Sequence, residues 1–332
     1  MTRVLLFLCV LTLSACAPRG AVLLLRDVPL GAESVRSVFI ATNRHPAREN
    51  EDAMFRQQFG QTRDPALRFA RIDISIPPAH VPGKIEWPRQ APDPARHFLA
   101  RGEARYADAA AFLADLNAQG TRDEVVLFVH GYNVNNAEAV YRLAQIAHDF
   151  DAKVPVIAYS WPSAGDARGY VYDRDSVIFS RDGLEDLLVT LTGDGQRVLV
   201  VAHSMGSQLV METLRQLSIS GKGQVLGRLS GVALISPDID SDVFVQQARR
   251  IAPFPQPFAL VTSAQDHILD LSARLTGKPA RLGQIRNTEA LDGLPVDLID
   301  LSEIEGGDRG GHSTAFTAPA AISLLRSLDQ DL

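Results

Sequence analysis

The segment VLVVAHSMGS, residues 198–207, runs an apolar string straight into a serine and then into a helical pattern. Val198 to Ala202 carry no polar residue and are rich in β-branching, as in a strand. Beyond the serine, Leu209, Val210, Thr213, Leu214 and Leu217 recur on one helical side. A buried strand that turns directly into a helix leaves Ser204 on a sharp bend. Such a bend requires small residues two before and two after the serine, because larger side chains would collide with the strand and the helix. Those positions hold Ala202 and Gly206, giving A-x-S-x-G where glycine is the commoner first residue. Ser204 is therefore the candidate nucleophile of the chain.

The same strand and helix alternation extends in both directions. VRSVFIATNR (35–44) and LRFARIDISIP (67–77) read as two early strands, and the proline-rich stretch 77–94 as irregular surface structure. DEVVLFVHGYN is a buried strand ending in a turn. Asn135 and Glu138 form a capping-box pattern, after which Val140, Leu143, Ala144, Ala147 and Phe150 share a helical face. VPVIAYSWP is the next strand, followed by a loop and a helix carrying Leu184, Leu187, Leu188 and Leu191. GVALISPDID, PFALVTSAQDH and VDLIDLSE complete the strands, and a final helix is expected over about 315–328. Alternation of this kind predicts an α/β domain with a mostly parallel central sheet flanked by helices. Fewer than twenty residues separate PDID from the next strand, too few for a large lid domain.

The N-terminus sets the compartment. Arg3 precedes an apolar run from Val4 to Leu13, too short to span a bilayer and shaped like an export signal. Leu13-Ser14-Ala15-Cys16 resembles the lipobox of bacterial lipoproteins, in which cleavage leaves the cysteine as the lipid-bearing first residue. The expected organisation is a signal peptide at 1–15, a lipidated N-terminus and linker at 16–34, and one catalytic-sized domain at 35–332. Cys9 would leave with the signal and Cys16 would carry lipid, so the mature chain would hold no free thiol. Ala17 stands where an aspartate would favour inner-membrane retention, so the outer membrane is the expected anchor site, facing the periplasm. A formal charge of −6 with no Lys/Arg cluster argues against nucleic acid as a partner. The chain has no H-E-x-x-H or C-x-x-C metal pattern, no Walker A loop and no G-x-G-x-x-G after a strand, and no cofactor is expected.

A serine hydroxyl needs a base. In this architecture the acid and then the histidine follow the serine, which leaves His267 and His312 among eight histidines. His267 adjoins Asp266 at a strand end, where neighbouring side chains diverge. His312, in GGDRGGHSTAF between the last strand and the last helix, is the expected base. Asp266 and Asp238 compete for the acid. Asp266 is preferred because the last-but-one strand is the commoner site. For the oxyanion, the expected donors are the backbone N–H of Met205, directly after the serine, and that of Tyr132 in the HGYN turn. His130 reads as a buried, hydrogen-bonded histidine of that turn.

Taken together, VFIATNR, VLFVHGYNVNNAEAVYRLAQI, AYSWPSAGDARGYVYDRDS, VVAHSMGS, ISPDID and the late GGHS resemble a bacterial family of α/β-hydrolase-fold proteins of unknown function (DUF900), from about Val38 to His312. The resemblance implies an α/β-hydrolase fold, a Ser-Asp-His triad and esterase-type activity, with no substrate specified. WPSAGDARGYVYDRDS (161–176) either lies near the pocket or is a surface loop anchored by Trp161 and Tyr170. The leading expectation is a membrane-anchored serine hydrolase acting on a carboxylic ester, small-molecule or lipid. The alternatives are a non-catalytic envelope binding or scaffold lipoprotein, or the same triad used on amides, thioesters or acyl transfer.

Overall fold

The apolar runs pair into one nine-stranded sheet. In the computed structural model, residues 20–24, 31, 33–47, 55, 56, 58–88, 92–119, 123–277, 281–285 and 288–330 are described. The lipobox residues Leu13 to Cys16 and the expected signal peptide lie outside them.

We number the sheet strands β1 (Ser34–Pro46), β2 (Phe59–Ile76), β3 (Leu99–Tyr106), β4 (Glu124–Val129), β5 (Val156–Ser160), β6 (Arg197–His203), β7 (Leu229–Ile235), β8 (Phe258–Thr262) and β9 (Asp297–Asp300). Their spatial order is β9-β8-β7-β6-β4-β5-β1-β2-β3. β2 and β3 are antiparallel additions at one edge, and every other neighbouring pair is parallel. A second, two-stranded pair joins Val22–Leu23 to Phe55–Arg56.

Strand side chains alternate between faces, and the sheet accordingly divides two cores. Leu127, Val129, Val198, Val200, Ala202 and Leu234 belong to one, while Phe128, Ala158, Ile235 and Val261 belong to the other. The first core is closed by helices α3 (Tyr170–Gly193), α4 (Met205–Ile219) and α5 (Ser241–Ala248), and the second by α2 (Asn136–Asp149) and α7 (Pro319–Gln330). Two further helices, α1 (Ala109–Ala118) and α6 (His267–Thr276), complete the longer elements.

The helix signals of the sequence hold in detail. Asn135 Oδ1 accepts the Glu138 N–H at 2.9 Å while Glu138 Oε2 accepts the Asn135 N–H at 2.9 Å, the reciprocal box that fixes where α2 begins. Leu209, Val210, Thr213, Leu214 and Leu217 are all buried. Two boundaries differ from expectation. α3 starts at Tyr170, so half of WPSAGDARGYVYDRDS is helical. The last helix is split, with a short turn at Thr314–Thr317, an extended Ala318 and then α7. Pro319 explains the break, since the residue before a proline is pushed out of the helical region and the proline itself suits a first helical position. Between β7 and β8 the helical content is α5 alone, and no lid domain is present there.

Candidate active site

Strands β6, β4, β7 and β8 end on the same edge of the sheet, where the turn after β4 and the end of β7 touch Ser204. Ser204 adopts φ 54° and ψ −123° between β6 and α4. For a residue with a side chain this costs about 1–3 kcal/mol, which neighbouring structure must supply. The end of β7 supplies it. The Ser204 N–H donates to Ile235 O at 2.9 Å, and its carbonyl accepts the Asp238 N–H at 3.2 Å. Gly206 is dictated by contact, because a Cβ there would lie 2.4 Å from His130 O and 2.5 Å from Val129 O. Gly131 is equally constrained, with a Cβ falling 2.9 Å from that of Ser204. The HGYN turn thus rests directly on the serine bend. The Met205 and Tyr132 N–H groups make no hydrogen bond among the described residues.

His312 reaches the same edge from the loop before the last helical turn. Its Nδ1 lies 2.7 Å from Asp266 Oδ2. Asp266 is fully buried at the N-terminus of α6, where Oδ1 accepts the Ile268 and Leu269 N–H groups, both at 3.1 Å. One carboxylate oxygen therefore caps the helix and the other orients the imidazole. The loop is held from several sides. Asp308 accepts the Ser313 N–H at 2.8 Å, the His267 N–H donates to Gly310 O at 2.9 Å, and His203 Nε2 donates to the His312 carbonyl at 3.0 Å. Burial, reinforced by His312, pushes His203 down to about 3, so it stays neutral and serves as a donor.

The competing acid is occupied elsewhere. Asp238 forms a buried cluster with Arg281 Nε at 2.8 Å, Ser272 Oγ at 2.6 Å and the Tyr170 hydroxyl at 3.1 Å. His267 is exposed and faces Asp270 at 3.5 Å.

Sequence reasoning missed the residues that brace the HGYN turn. Asp173, from the first turn of α3, accepts the Asn133 N–H at 3.0 Å, the Ser163 hydroxyl at 2.6 Å and the Ala164 N–H at 2.6 Å. Burial raises its pKa against the pull of these donors. Arg44, fully buried at the end of β1, donates to Ser160 Oγ at 3.0 Å, to the Gly60 and Ser163 carbonyls at 3.1 Å and to Val134 O at 2.9 Å. Burial lowers it to about 9, still cationic at neutral pH. His130 stacks on Trp161 with centroids 4.9 Å apart, and burial followed by Arg44 drives it to about 3. It is the buried turn histidine that was expected. The signal for these residues was present in the sequence as an arginine closing an apolar strand and an aspartate among buried helix positions. The stretch 161–176 is thus a brace under the turn, built on buried Trp161, Ser163 and Asp173.

Away from this edge, His80, His148 and Asp149 bring ligand-type atoms within 4.8 Å of one another. His80 is engaged through both ring nitrogens, with Asp149 Oδ1 at 2.8 Å and Glu86 Oε2 at 2.9 Å.

The sequence profile of a family described as alpha/beta hydrolase of unknown function (DUF900) matches residues 106–328. The chain belongs to this family. The α/β-hydrolase fold of this DUF900 chain stands on that match and on the sheet topology. Among curated proteins none matches. Solved structures similar to this DUF900 chain include esterase PE8, at 17% identity and TM-score 0.42 over 63% of this chain and 92% of that one. A dienelactone hydrolase from Anabaena variabilis is 12% identical, with TM-score 0.41 over 79% and 90% of the two chains. An esterase from the archaeon Pyrobaculum calidifontis is 13% identical, with TM-score 0.37 over 63% and 76%. Among the described residues no helix is long and apolar enough to cross a membrane.

Proposed function

We propose that this hydrolase is a serine esterase that cleaves carboxylic esters through an acyl-enzyme, tethered to the outer membrane by lipid on Cys16. The observation that carries the catalytic part is the 2.7 Å contact of His312 Nδ1 with the buried Asp266 carboxylate, on the loop edge that also holds Ser204 in its strained bend. In this reading Ser204 Oγ attacks the ester carbonyl as His312 Nε2 takes its proton. Asp266 holds the ring in the tautomer that leaves Nε2 free, and stabilises the imidazolium once formed. The negative oxygen of the tetrahedral intermediate faces the Met205 and Tyr132 N–H groups, the first of which also sits at the positive end of α4. Collapse expels the alcohol, which takes the proton from His312. Water, deprotonated by the same histidine, then releases the acid and frees Ser204.

The decisive experiment treats the wild-type chain and Ser204→Ala with a fluorophosphonate probe, then with p-nitrophenyl esters from acetate to palmitate. Labelling and turnover that vanish in Ser204→Ala support the proposal. A folded wild-type protein that neither labels nor turns over would leave the non-catalytic envelope lipoprotein as the better reading. Tethering is checked separately, since Cys16→Ser should move the protein from the membrane fraction to the soluble one.

A further inference from the structure

A cavity of about 300 Å³ opens beside the serine bend. Gly131, His203 and Ser313 line it, each adjoining part of the site described above, and Trp87, Phe128 and Phe316 give it apolar walls. One cation also lines it. Arg142, two turns into α2, donates from Nη1 to Gln145 Oε1 at 2.6 Å and to Gly83 O at 3.5 Å. Its Nε and Nη2 N–H groups meet no acceptor among the described residues, and no carboxylate pairs with it there. The two carboxylates whose charge acts on Arg142, those of Asp308 and Asp149, are hydrogen-bonded to other groups. Asp308 accepts the His312 and Ser313 N–H groups, and Asp149 accepts His80, Gly83 and Gln145. They act on Arg142 only through space, against a burial that lowers its pKa. Glu138 also lines the cavity, but its Oε2 is tied to the Asn135 N–H.

A half-buried guanidinium whose Nε/Nη2 edge is unmatched among the described residues is a donor pair shaped for a carboxylate, which it grips through two parallel hydrogen bonds. We propose that the cavity selects esters that carry a free carboxylate, seated on Arg142 while the ester carbonyl lies at Ser204. Trp87, Phe128 and Phe316 would cover the short apolar stretch between the two groups. The proposal rests on the esterase reading and narrows its substrate class from esters in general to monoesters of dicarboxylic acids.

The test compares kcat/KM of the wild-type chain for p-nitrophenyl monoesters of succinate through suberate with the neutral acyl esters of equal length. The carboxylate series should be preferred by about 10- to 100-fold, the worth of a charge-assisted pair. Arg142→Gln should collapse that ratio and Arg142→Lys should keep part of it, with circular dichroism reporting whether each variant is folded. A wild-type preference for neutral esters, or a ratio unchanged in folded Arg142→Gln, overturns the proposal. Calorimetry of Ser204→Ala with monomethyl glutarate gives a readout without turnover. Binding that Arg142→Gln removes supports the site even if the esterase reading fails, and absence of binding refutes it even if that reading holds.

Discussion

Gly206→Ala sets two effects of opposite sign against each other. In an exposed helix the change would stabilise by about 0.5–1 kcal/mol, because glycine loses more backbone entropy on folding. Here the new methyl would start 2.4 Å from His130 O and 2.5 Å from Val129 O, where ordinary contact begins at about 3.4 Å. Both oxygens are main chain, so no side chain can rotate away, and α4 and the HGYN turn must separate by about 1 Å. Overpacking of this kind costs roughly 1–3 kcal/mol. The steric term wins, and a net loss of about 1–2 kcal/mol is expected, read as a fall of several degrees in Tm. The functional loss should be larger. The displaced turn carries the Tyr132 N–H, and a misplacement of about 1 Å in a catalytic group costs on the order of 10²-fold. Thermal unfolding followed by circular dichroism, together with kcat/KM for p-nitrophenyl butyrate, reads both. A variant at least as stable as wild type with undiminished turnover would show that the close approach of bend and turn does not govern the site.

The two aspartates should separate by readout. Asp266→Asn should lose on the order of 10⁴-fold in kcat, whereas Asp238→Ala strands the buried Arg281 charge and should cost about 3–5 kcal/mol in urea unfolding. Asp173→Ala leaves three donors without their acceptor. It should destabilise by roughly 3 kcal/mol or more and reduce turnover, while Asp173→Asn should retain part of both; equal stability of wild type and Asp173→Ala would refute the bracing role. The His80–Asp149 pair predicts a pH window for stability. Its two carboxylate hydrogen bonds, against burial, raise the His80 pKa, so its contribution is full below about pH 6.5 and fades as pH climbs through the raised value. Asp149, lowered by His80, Gly83 and Gln145 against burial, contributes above about pH 3.9 and fades as pH falls through its lowered value. The Tm difference between wild type and His80→Gln should thus peak between these limits, and a difference that grows toward pH 9 would contradict the pairing.

What the sequence made legible was whatever leaves a local trace. Strand β6, the small residues at 202 and 206 and the Asn135–Glu138 box are short-range patterns, and each sits where its pattern placed it. His312 and Asp266 could be proposed from chain order alone, yet Asp238 stayed in contention. What separates the two carboxylates is the contact of His312 with Asp266 and the packing of Arg281 and Ser272 against Asp238, and those contacts span 46, 43 and 34 positions of sequence. The start of α3 was missed because its first two turns carry Asp173 and Ser176 on the buried side, so polarity hid a core-facing surface. Arg142 and the cavity left no trace at all, since an arginine in an amphipathic helix ordinarily points to solvent.

The Arg44 guanidinium separates the unit of homology from the unit of folding. The family match begins at residue 106, after β1, β2 and all but the last residue of β3. Yet β1 is an interior strand, wedged between β5 and β2, and its terminal arginine is what the Ser160 hydroxyl and the Ser163 and Val134 carbonyls close upon. A fragment cut at the homology boundary would bare the flank of β5 and leave those acceptors facing an empty socket. Whatever ancestry the first hundred residues have, the hydrolase edge of this chain is assembled around a cation they deliver.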